Sequence, residues 1–345
     1  MPKMKAIAKL KPAPGAELIE TEIPRPGPRA VLIKVATTSI CGTDHHIYSW
    51  DQWSQGRIKV PRIFGHEVAG EVVEIGKDVG SVRIGDFISA ETHIACGYCF
   101  QCRTGLAHIC RNVKIIGVDV DGVFAEYAVI PENNAWVLEE NIPRDYASVM
   151  EPLGNAIHTV LAGEVAATTV LVLGCGPIGL MSVAVARLAG ATMIIASEIN
   201  EVRLNLAKKM GADVALNPQN ENLVKRVKEL TNGLGVDVVL EMSGHPKAIR
   251  DGFKVLRSGG RYSMLGIPKE PMKLDVASDI VFKQADVQGI NGRVMFNTWF
   301  KTSRFLISGR LDLAPIITHR FRLEEFEKGM ELLHSGNCGK VLLYP

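Results

Sequence analysis

The sequence predicts two fold classes in one chain of 345 residues. Residues 1–154 and 296–345 read as a mostly β domain, and residues 155–295 as an inserted α/β domain with a doubly wound parallel sheet. Three observations carry this. Proline and glycine break the opening region into short extended runs. Past residue 150 apolar strands alternate with helical segments, the order expected of a parallel sheet with right-handed crossovers. Beyond residue 296 the pattern returns to mixed helix and strand. The length also suits two domains of ordinary size.

In the first region Val31, Ile33 and Val35 alternate with Leu32 and Lys34 and predict a strand. Residues 68–75 form a second β-rich run closed by Gly76, and 86–90 and 123–130 are two more. Turn signals recur at Pro24, Pro26, Gly27-Pro28, Gly65, Gly85, Gly122 and Pro131, so little helix is expected. In the second region 170–173 is an apolar strand, and 178–189 a helix ended by Gly190. Strand 193–197 and helix 201–210, stopped by Gly211, follow. Next come 214–216, an amphipathic segment 222–230, strand 236–240, helix 246–256 and strand 261–265. The tail gives a helix over 296–307, an extended 316–318, and Leu323, Phe326, Met330 and Leu333 at helical spacing before Gly336. Residues 341–343 read as a last strand.

Composition removes several function classes. With 47% hydrophobic and 22% charged residues the chain is ordinary for a globular protein. Lys+Arg 39 against Asp+Glu 37 leaves +2, so no basic surplus exists to neutralise phosphates and no nucleic-acid partner is expected. Few apolar residues separate Met1-Pro2-Lys3-Met4-Lys5 from Lys9 and Lys11; that is no signal-peptide core, and a cytoplasmic location is expected. Residues 165–186 carry no charge and reach the length of a membrane span. Their centre, Gly174-Cys175-Gly176-Pro177-Ile178-Gly179, breaks such a span. A buried strand, a glycine turn and an apolar helix explain it better, and no membrane partner is expected.

That turn has the spacing Gly174-x-Gly176-x-x-Gly179. Alone it is weak in a chain with 33 glycines. Between an apolar strand and an apolar helix, with Glu198 ending the next strand, it is a dinucleotide fingerprint. The first glycine makes the turn, the second lets backbone approach a pyrophosphate, and the third lets helix pack on strand. The helix N-terminus faces the negative charge. Glu198 would accept from the adenosine ribose hydroxyls and repel a 2′-phosphate, which selects NAD over NADP. Arg203 either flanks the adenine or is a solvated helix residue. Cys175 reads as a small side chain in the loop.

Seven cysteines are present, four of them at Cys96-x2-Cys99-x2-Cys102-x7-Cys110. Four thiolates at this spacing make a closed tetrahedral site, so a structural zinc is expected, with Gly97 and Gly105 permitting the winding. A second, catalytic metal needs three protein ligands and an open position. Cys41, His66 and either Glu67 or Glu151 supply them. Thr43 lies two residues past Cys41, and His46 three further on; a hydroxyl and an imidazole there are suited to moving a proton. Gly42 would permit a tight turn in that polar stretch.

Cys41-Gly42-Thr43-Asp44, Gly65-His66-Glu67, the four-cysteine lobe and the glycine loop occur together and in this order. The chain therefore resembles the zinc-containing medium-chain alcohol dehydrogenases over essentially its whole length. Four further stretches are similar to the L-threonine 3-dehydrogenases within that family. They are Cys41 through Tyr48, Trp50-Asp51-x-Trp53-Ser54-Gln55, Glu151-Pro152-Leu153-Gly154-Asn155-Ala156 and Ile316-Ile317-Thr318-His319-Arg320-Phe321. The resemblance implies a GroES-like catalytic domain, a Rossmann NAD-binding domain, two zincs per chain and a homotetramer. It implies oxidation of the L-threonine 3-hydroxyl to 2-amino-3-oxobutanoate, the first step of threonine degradation to glycine. By motif it gives Cys41, His66 and Glu67 to the catalytic metal, Thr43 and His46 to the proton relay, and Glu151 to a carboxylate able to approach the metal. Ile178, Glu198, Arg203, Leu265, Gly266, Ile267, Ile290 and Asn291 match NAD contacts. Glu198 stands where Asp is commoner, and Asn291 where an aromatic is often found.

The implied order is NAD first, then substrate. Thr43 takes the hydroxyl proton, which reaches solvent through a ribose hydroxyl and His46. Glu151 and Asp51 are both candidates for the substrate ammonium, and His93 for the pocket wall. His45, His158, His245, His319 and His334 are expected to be structural or solvated. Two rival readings exist. One is another zinc alcohol or polyol dehydrogenase, which shares the metal and NAD motifs. The other is a non-enzymatic NAD sensor, which would have lost the catalytic ligands present here.

Overall fold

The apolar and β-branched run Ala30–Ser39 forms the central strand of the first half of the protein. In the computed structural model, which describes residues 2–345, it pairs antiparallel with Glu67–Ile75, Tyr127–Pro131 and Lys340–Tyr344. The sheet runs Ala135–Val137, Phe87–Ala90, Glu67–Ile75, Ala30–Ser39, Lys340–Tyr344, Ile317–Arg322, with Tyr127–Pro131 added on Ala30–Ser39. Val31, Ile33, Val35, Val68, Val72 and Ile88 pack one core on it. A second core joins Ile7, Ile40, Ile47, Phe64, Phe124, Phe326 and Val341.

Register decides where the chemistry sits. Ser39 lies opposite Glu67 on one side and Leu342 on the other. Cys41 just past one strand end, His66 and Glu67 at the start of a second strand, and Lys340 at the start of a third are thereby brought together. Alternation fixes which residues face the core, so a slip of one residue would scatter this set.

The stretch after Cys41 is a helix rather than the turn its glycine suggested. Gly42–Ser49 is helical, and the Asp44 carboxylate accepts from the Cys41 N–H at 2.8 Å. That bond satisfies an otherwise orphaned donor at the helix start, so the polar residues Thr43 and His46 lie on a rigid element. A second short helix, Gln52–Arg57, follows. The strands Lys3–Lys9 and Glu17–Glu22 also lie outside the sequence reading. Interleaved lysines hid the apolar face of Met4, Ala6 and Ala8, all buried.

In the second half the predicted alternation holds almost residue by residue. Six parallel strands lie in the order Val214–Leu216, Met193–Ser197, Thr169–Leu173, Val236–Glu241, Leu256–Met264, Asp286–Gly289. The direction of winding reverses beside Thr169–Leu173, the switch point where doubly wound sheets bind ligands. Leu171, Leu173, Ile195, Val239, Ile249, Phe253 and Tyr262 form its core. The charge-free 165–186 resolves into a strand and the twelve-residue helix Pro177–Leu188. Among the described residues no helix is long and apolar enough to cross a membrane.

By contact the chain divides into two units. The first runs to Glu151 and takes in Val294–Ile307 and Ile317–Pro345; the second holds Pro152–Arg293 and Ser308–Ile316. Residues 308–316, read from sequence as part of the mostly β domain, count with the α/β unit. Leu311 and Pro315 there line one pocket with Ala184, Leu188 and Met210.

Lys9 is buried without a carboxylate partner and shows how the first unit is tied together. Its ammonium donates to the carbonyls of Ala13, Gly15 (2.6 Å) and Tyr48 (3.1 Å) and sits 5.2 Å from the Trp50 ring. Burial pulls its pKa down to about 8. The bond to Tyr48 caps the last turn of Gly42–Ser49, where a cation is favoured. Lys9→Met, which leaves these carbonyls without their donor, is expected to lower stability by about 1–3 kcal/mol in urea denaturation.

Candidate active site

Three donors from two strand ends converge. The ligand atoms of Cys41, His66 and Glu67 all lie within 4.8 Å of one another. Ligands about 2.0–2.3 Å from one tetrahedral ion lie roughly 3.3–3.8 Å apart, so these atoms are near enough to close on an ion with a small side-chain adjustment. Gly65 precedes His66 at φ +86, and a Cβ there would run into the Phe124 ring. A side chain at 65 would displace the imidazole, so the glycine is required.

The surroundings favour a cation. His66 Nδ1 is buried with no hydrogen-bond partner, as is Glu67 Oε1. Asp44 Oδ1 is 3.5 Å from His66 Nδ1, where it can orient the ring as carboxylates orient metal-bound histidines. Burial alone would lower the His66 pKa. The Asp44 carboxylate and the Cys41 thiolate reverse that and hold it well above the usual imidazole value. The imidazole nitrogen and carboxylate oxygen without partners, close to the Cys41 thiol, leave donors available to a divalent ion. The residues present thus fit the zinc that their types imply.

Glu67 is anchored by groups that the sequence reading did not find. Its Oε2 accepts from the Lys340 ammonium and the Ser39 hydroxyl, and Lys340 also donates to the Ile40 carbonyl at 2.9 Å. Lys340 and Glu67 are 2% and 0% exposed, a buried ion pair. Glu67 and Cys41 outweigh the cost of burying the ammonium and raise the Lys340 pKa. Lys340 is 273 residues from Glu67 in the chain, and no local pattern links them. Glu151 is buried and close enough to act electrostatically on both Glu67 and Lys340, but it is not among the three converging donors.

Thr43 Oγ1 is 4.0 Å from Cys41 Sγ. His46, half exposed, is held by Asp51, whose Oδ2 lies 2.5 Å from Nδ1. Asp51 Oδ1 accepts from the Ser54 N–H at 3.0 Å, the Ser54 hydroxyl donates to the His46 carbonyl, and the Trp53 ring meets the imidazole edge-on at 6.1 Å. The Trp50–Gln55 stretch is therefore the wall around His46. Asp51, one of two candidates for the substrate ammonium, has both oxygens engaged there instead. The backbone bond from Ser54 and the contact with His46 hold its pKa low despite partial burial.

The four cysteines of the lobe lie together. Sγ separations are 3.4 Å for Cys99–Cys102, 3.7 Å for Cys99–Cys110 and 4.0 Å for Cys96–Cys102. Thiolates about 2.3 Å from a tetrahedral zinc would be about 3.8 Å apart. The N–H groups of Cys96 and Asn112 point at Cys110 Sγ, and the Asn112 amide at Cys96 Sγ, as outer donors do around metal thiolates. The thiols differ: although burial opposes it, the Tyr98 N–H and Asn112 pull Cys96 down to about 6. Burial and the neighbouring sulfurs push Cys102 up to about 12. Without a cation the four do not all ionise.

The glycine loop meets the requirements of a dinucleotide site. Gly174 has φ +88, and a Cβ there would crowd Ser243 at 2.9 Å; one at Gly179 would overlap the Gly174 carbonyl; one at Gly176 would meet nothing within 4 Å. The space over Gly176, at the N-terminus of Pro177–Leu188, is where a phosphate can approach backbone. Ile178 sits in that first helical turn. Glu198 accepts from the N–H groups of Cys175 (2.8 Å), Ile199 (2.8 Å) and Asn200 (3.0 Å). Its carboxylate thus braces the glycine loop, with acceptor capacity to spare on Oε2. Arg203 Nε is buried and unpartnered. The N–H groups of Leu265 and Gly266 both donate to the Glu241 carbonyl, Ile290 N–H donates to the Met264 carbonyl, and Ile267 is 87% exposed. Asn291 is exposed.

Five of the other histidines are hydrogen-bonded within the protein. His45 Nε2 and His334 Nδ1 are 3.1 Å apart, His158 Nδ1 is 2.8 Å from the Gly292 carbonyl, His245 accepts from the Lys247 N–H, and His319 lies against Thr318. His93 Nδ1 lies 4.0 Å from the buried Glu91.

Comparison with known proteins matches residues 27–140 to the alcohol dehydrogenase GroES-like domain and 177–308 to the zinc-binding dehydrogenase family. An L-threonine 3-dehydrogenase from Symbiobacterium thermophilum is 51% identical over 343 residues, covering 99% of this chain and 98% of that protein. Those from Pyrococcus furiosus and Bacillus subtilis are each 52% identical, over 99% of this chain and 98% and 99% of theirs. Among solved structures, a zinc-binding dehydrogenase from Sinorhizobium meliloti bound to NADP superposes with a TM-score of 0.92 at 30% identity over 100% of both chains. An alcohol dehydrogenase from Thermus sp. ATN1 gives 0.90 at 30% identity over 99% of both.

The thiol differences make the lobe testable. After chelation, alkylation near pH 7 should modify Cys96 ahead of Cys102 by peptide mass spectrometry, and the melting temperature should fall. Equal labelling of both, with no loss of stability, would contradict a metal-stapled lobe.

Proposed function

Because this chain belongs to the L-threonine 3-dehydrogenases of the zinc-binding, GroES-like alcohol dehydrogenase family, we propose that it oxidises the 3-hydroxyl of L-threonine to 2-amino-3-oxobutanoate with NAD. The convergence of Cys41, His66 and Glu67 on one point carries this reading. A zinc bound there supplies Lewis-acid polarisation of the substrate hydroxyl, and NAD supplies the hydride acceptor. The GroES-like unit provides the ligands and proton groups, the parallel-sheet unit the dinucleotide groups.

The side chains divide the work. Cys41, His66 and Glu67 hold the metal, with Glu151 as a neighbouring charge rather than a resident ligand. The Thr43 hydroxyl accepts the substrate proton as it gives up its own toward His46. His46 passes it to solvent, because it is half exposed and Asp51 fixes Nδ1, leaving Nε2 for the incoming proton. Gly174, Gly176, Ile178 and Gly179 take the pyrophosphate region. Leu265, Gly266, Ile267, Ile290 and Asn291 line the dinucleotide, and Arg203 flanks the adenine. Glu198, at the end of the second strand, repels a 2′-phosphate and supports NAD over NADP. Cys96, Cys99, Cys102 and Cys110 hold a second, structural zinc. A cytoplasmic homotetramer completes the proposal and is supported by the family resemblance alone.

NADH absorbance with L-threonine, sorbitol and butanediol separates this reading from a polyol dehydrogenase. Threonine should be oxidised at least tenfold more efficiently, and preference for a polyol would overturn the assignment. Thr43→Ala should lose about 10²–10⁴-fold in turnover while keeping its zinc; unchanged turnover would remove the relay. Asp51→Asn should slow turnover less than Thr43→Ala and shift its pH profile, since His46 survives but loses the carboxylate that orients it.

A further inference from the structure

We infer that Lys340 is a positioning residue that limits how firmly Glu67 can hold the metal and so keeps a coordination position open for substrate. The inference rests on the reading of Cys41, His66 and Glu67 as ligands of one ion. Lys340 enters from the last strand of the chain, Lys340–Tyr344. It brings a cation to a place where the Cys41 thiol and the carboxylates of Glu67 and Glu151 all act on it. One oxygen of Glu67 is taken by the Lys340 ammonium and the Ser39 hydroxyl, and the other is buried without any partner. A carboxylate tethered in this way offers the ion one oxygen at most, and that oxygen is a weak donor because the ammonium draws on the same charge.

Removing the ammonium changes both properties. Glu67 would lose its counter-ion while remaining fully buried, and an uncompensated buried carboxylate is strongly disfavoured. The metal would then be the nearest available cation. Freed from the ammonium, Glu67 would ligate through both oxygens, and the second would fill the position that catalysis needs vacant. The expected outcome is therefore opposite to that of ordinary damage: tighter zinc and slower turnover.

The test is zinc affinity at this centre, measured by competition with a chromophoric chelator on protein whose four-cysteine lobe stays loaded. Lys340→Met should lower the dissociation constant by about tenfold and cut turnover by at least as much. In the Glu67→Gln background the same change should have no effect on zinc affinity. Lys340→Arg should stay near the parent affinity. Equal or weaker zinc binding in Lys340→Met overturns the inference. So does any effect of Lys340→Met that persists with Glu67→Gln, a comparison that holds even if the single variant folds poorly. If the parent protein binds no zinc beyond that of the four-cysteine lobe, the reading of the metal centre fails first, and this result is distinguishable from the others.

Discussion

Everything at the metal centre depends on the registration of three strands. Ser39, Glu67 and Leu342 lie side by side across the sheet, so the residues one or two positions away from them meet at one end. The constraint is strict, because a strand cannot shift by one residue without turning its core face outward. Val31, Ile33 and Val35 lock Ala30–Ser39 from one face, while Ile40 and Val341 lock the strand ends from the other core. The hydrophobic effect sets the register, and the register sets the ligand geometry.

The polar groups are arranged on top of that scaffold by a chain of single oxygens. Asp44 uses one oxygen for the Cys41 N–H and turns the other toward His66. Glu67 uses one for Lys340 and Ser39 and leaves the other unclaimed. Asp51 uses one for Ser54 and one for His46. Each carboxylate fixes a backbone or cationic neighbour with one oxygen, and in the first two the second is buried without a hydrogen-bond partner. The parallel-sheet unit repeats the device: Glu198 grips the glycine loop, and Glu241 takes the N–H groups of Ser243 and Gly244 with one oxygen while the other is buried and unpartnered. Anionic groups tied into the backbone in this way hold their geometry at little cost when a ligand arrives.

Much of this was legible in the sequence where the governing interaction is local. The strand–helix alternation of 169–264 followed from apolar periodicity and glycine stops, and the cysteine lobe from spacing. The glycine loop was legible because each glycine answers a nearby steric demand. What local pattern could not reveal was pairing across the chain. Lys340 reads as one more charged residue near the end, and only the sheet delivers it to Glu67. Asp51 was visible as part of a suggestive stretch but was considered for a substrate ammonium, because proximity to His46 depends on the left-handed Trp50 that turns one helix into the next. The helix at 42–49 was missed because its residues have little apolar periodicity; a carboxylate cap and the packing of Ile47 stabilise it.

The account stands on one ion shared by a thiolate and an imidazole drawn from different strand ends. Anomalous diffraction at the zinc absorption edge, from crystals of the protein as purified, tests it most directly. The account predicts a peak about 2.0–2.3 Å from both Cys41 Sγ and the His66 ring, separate from a second peak inside the four thiols. A crystal with the cysteine-lobe peak alone, or with Cys41 and His66 turned away from any metal, would contradict it.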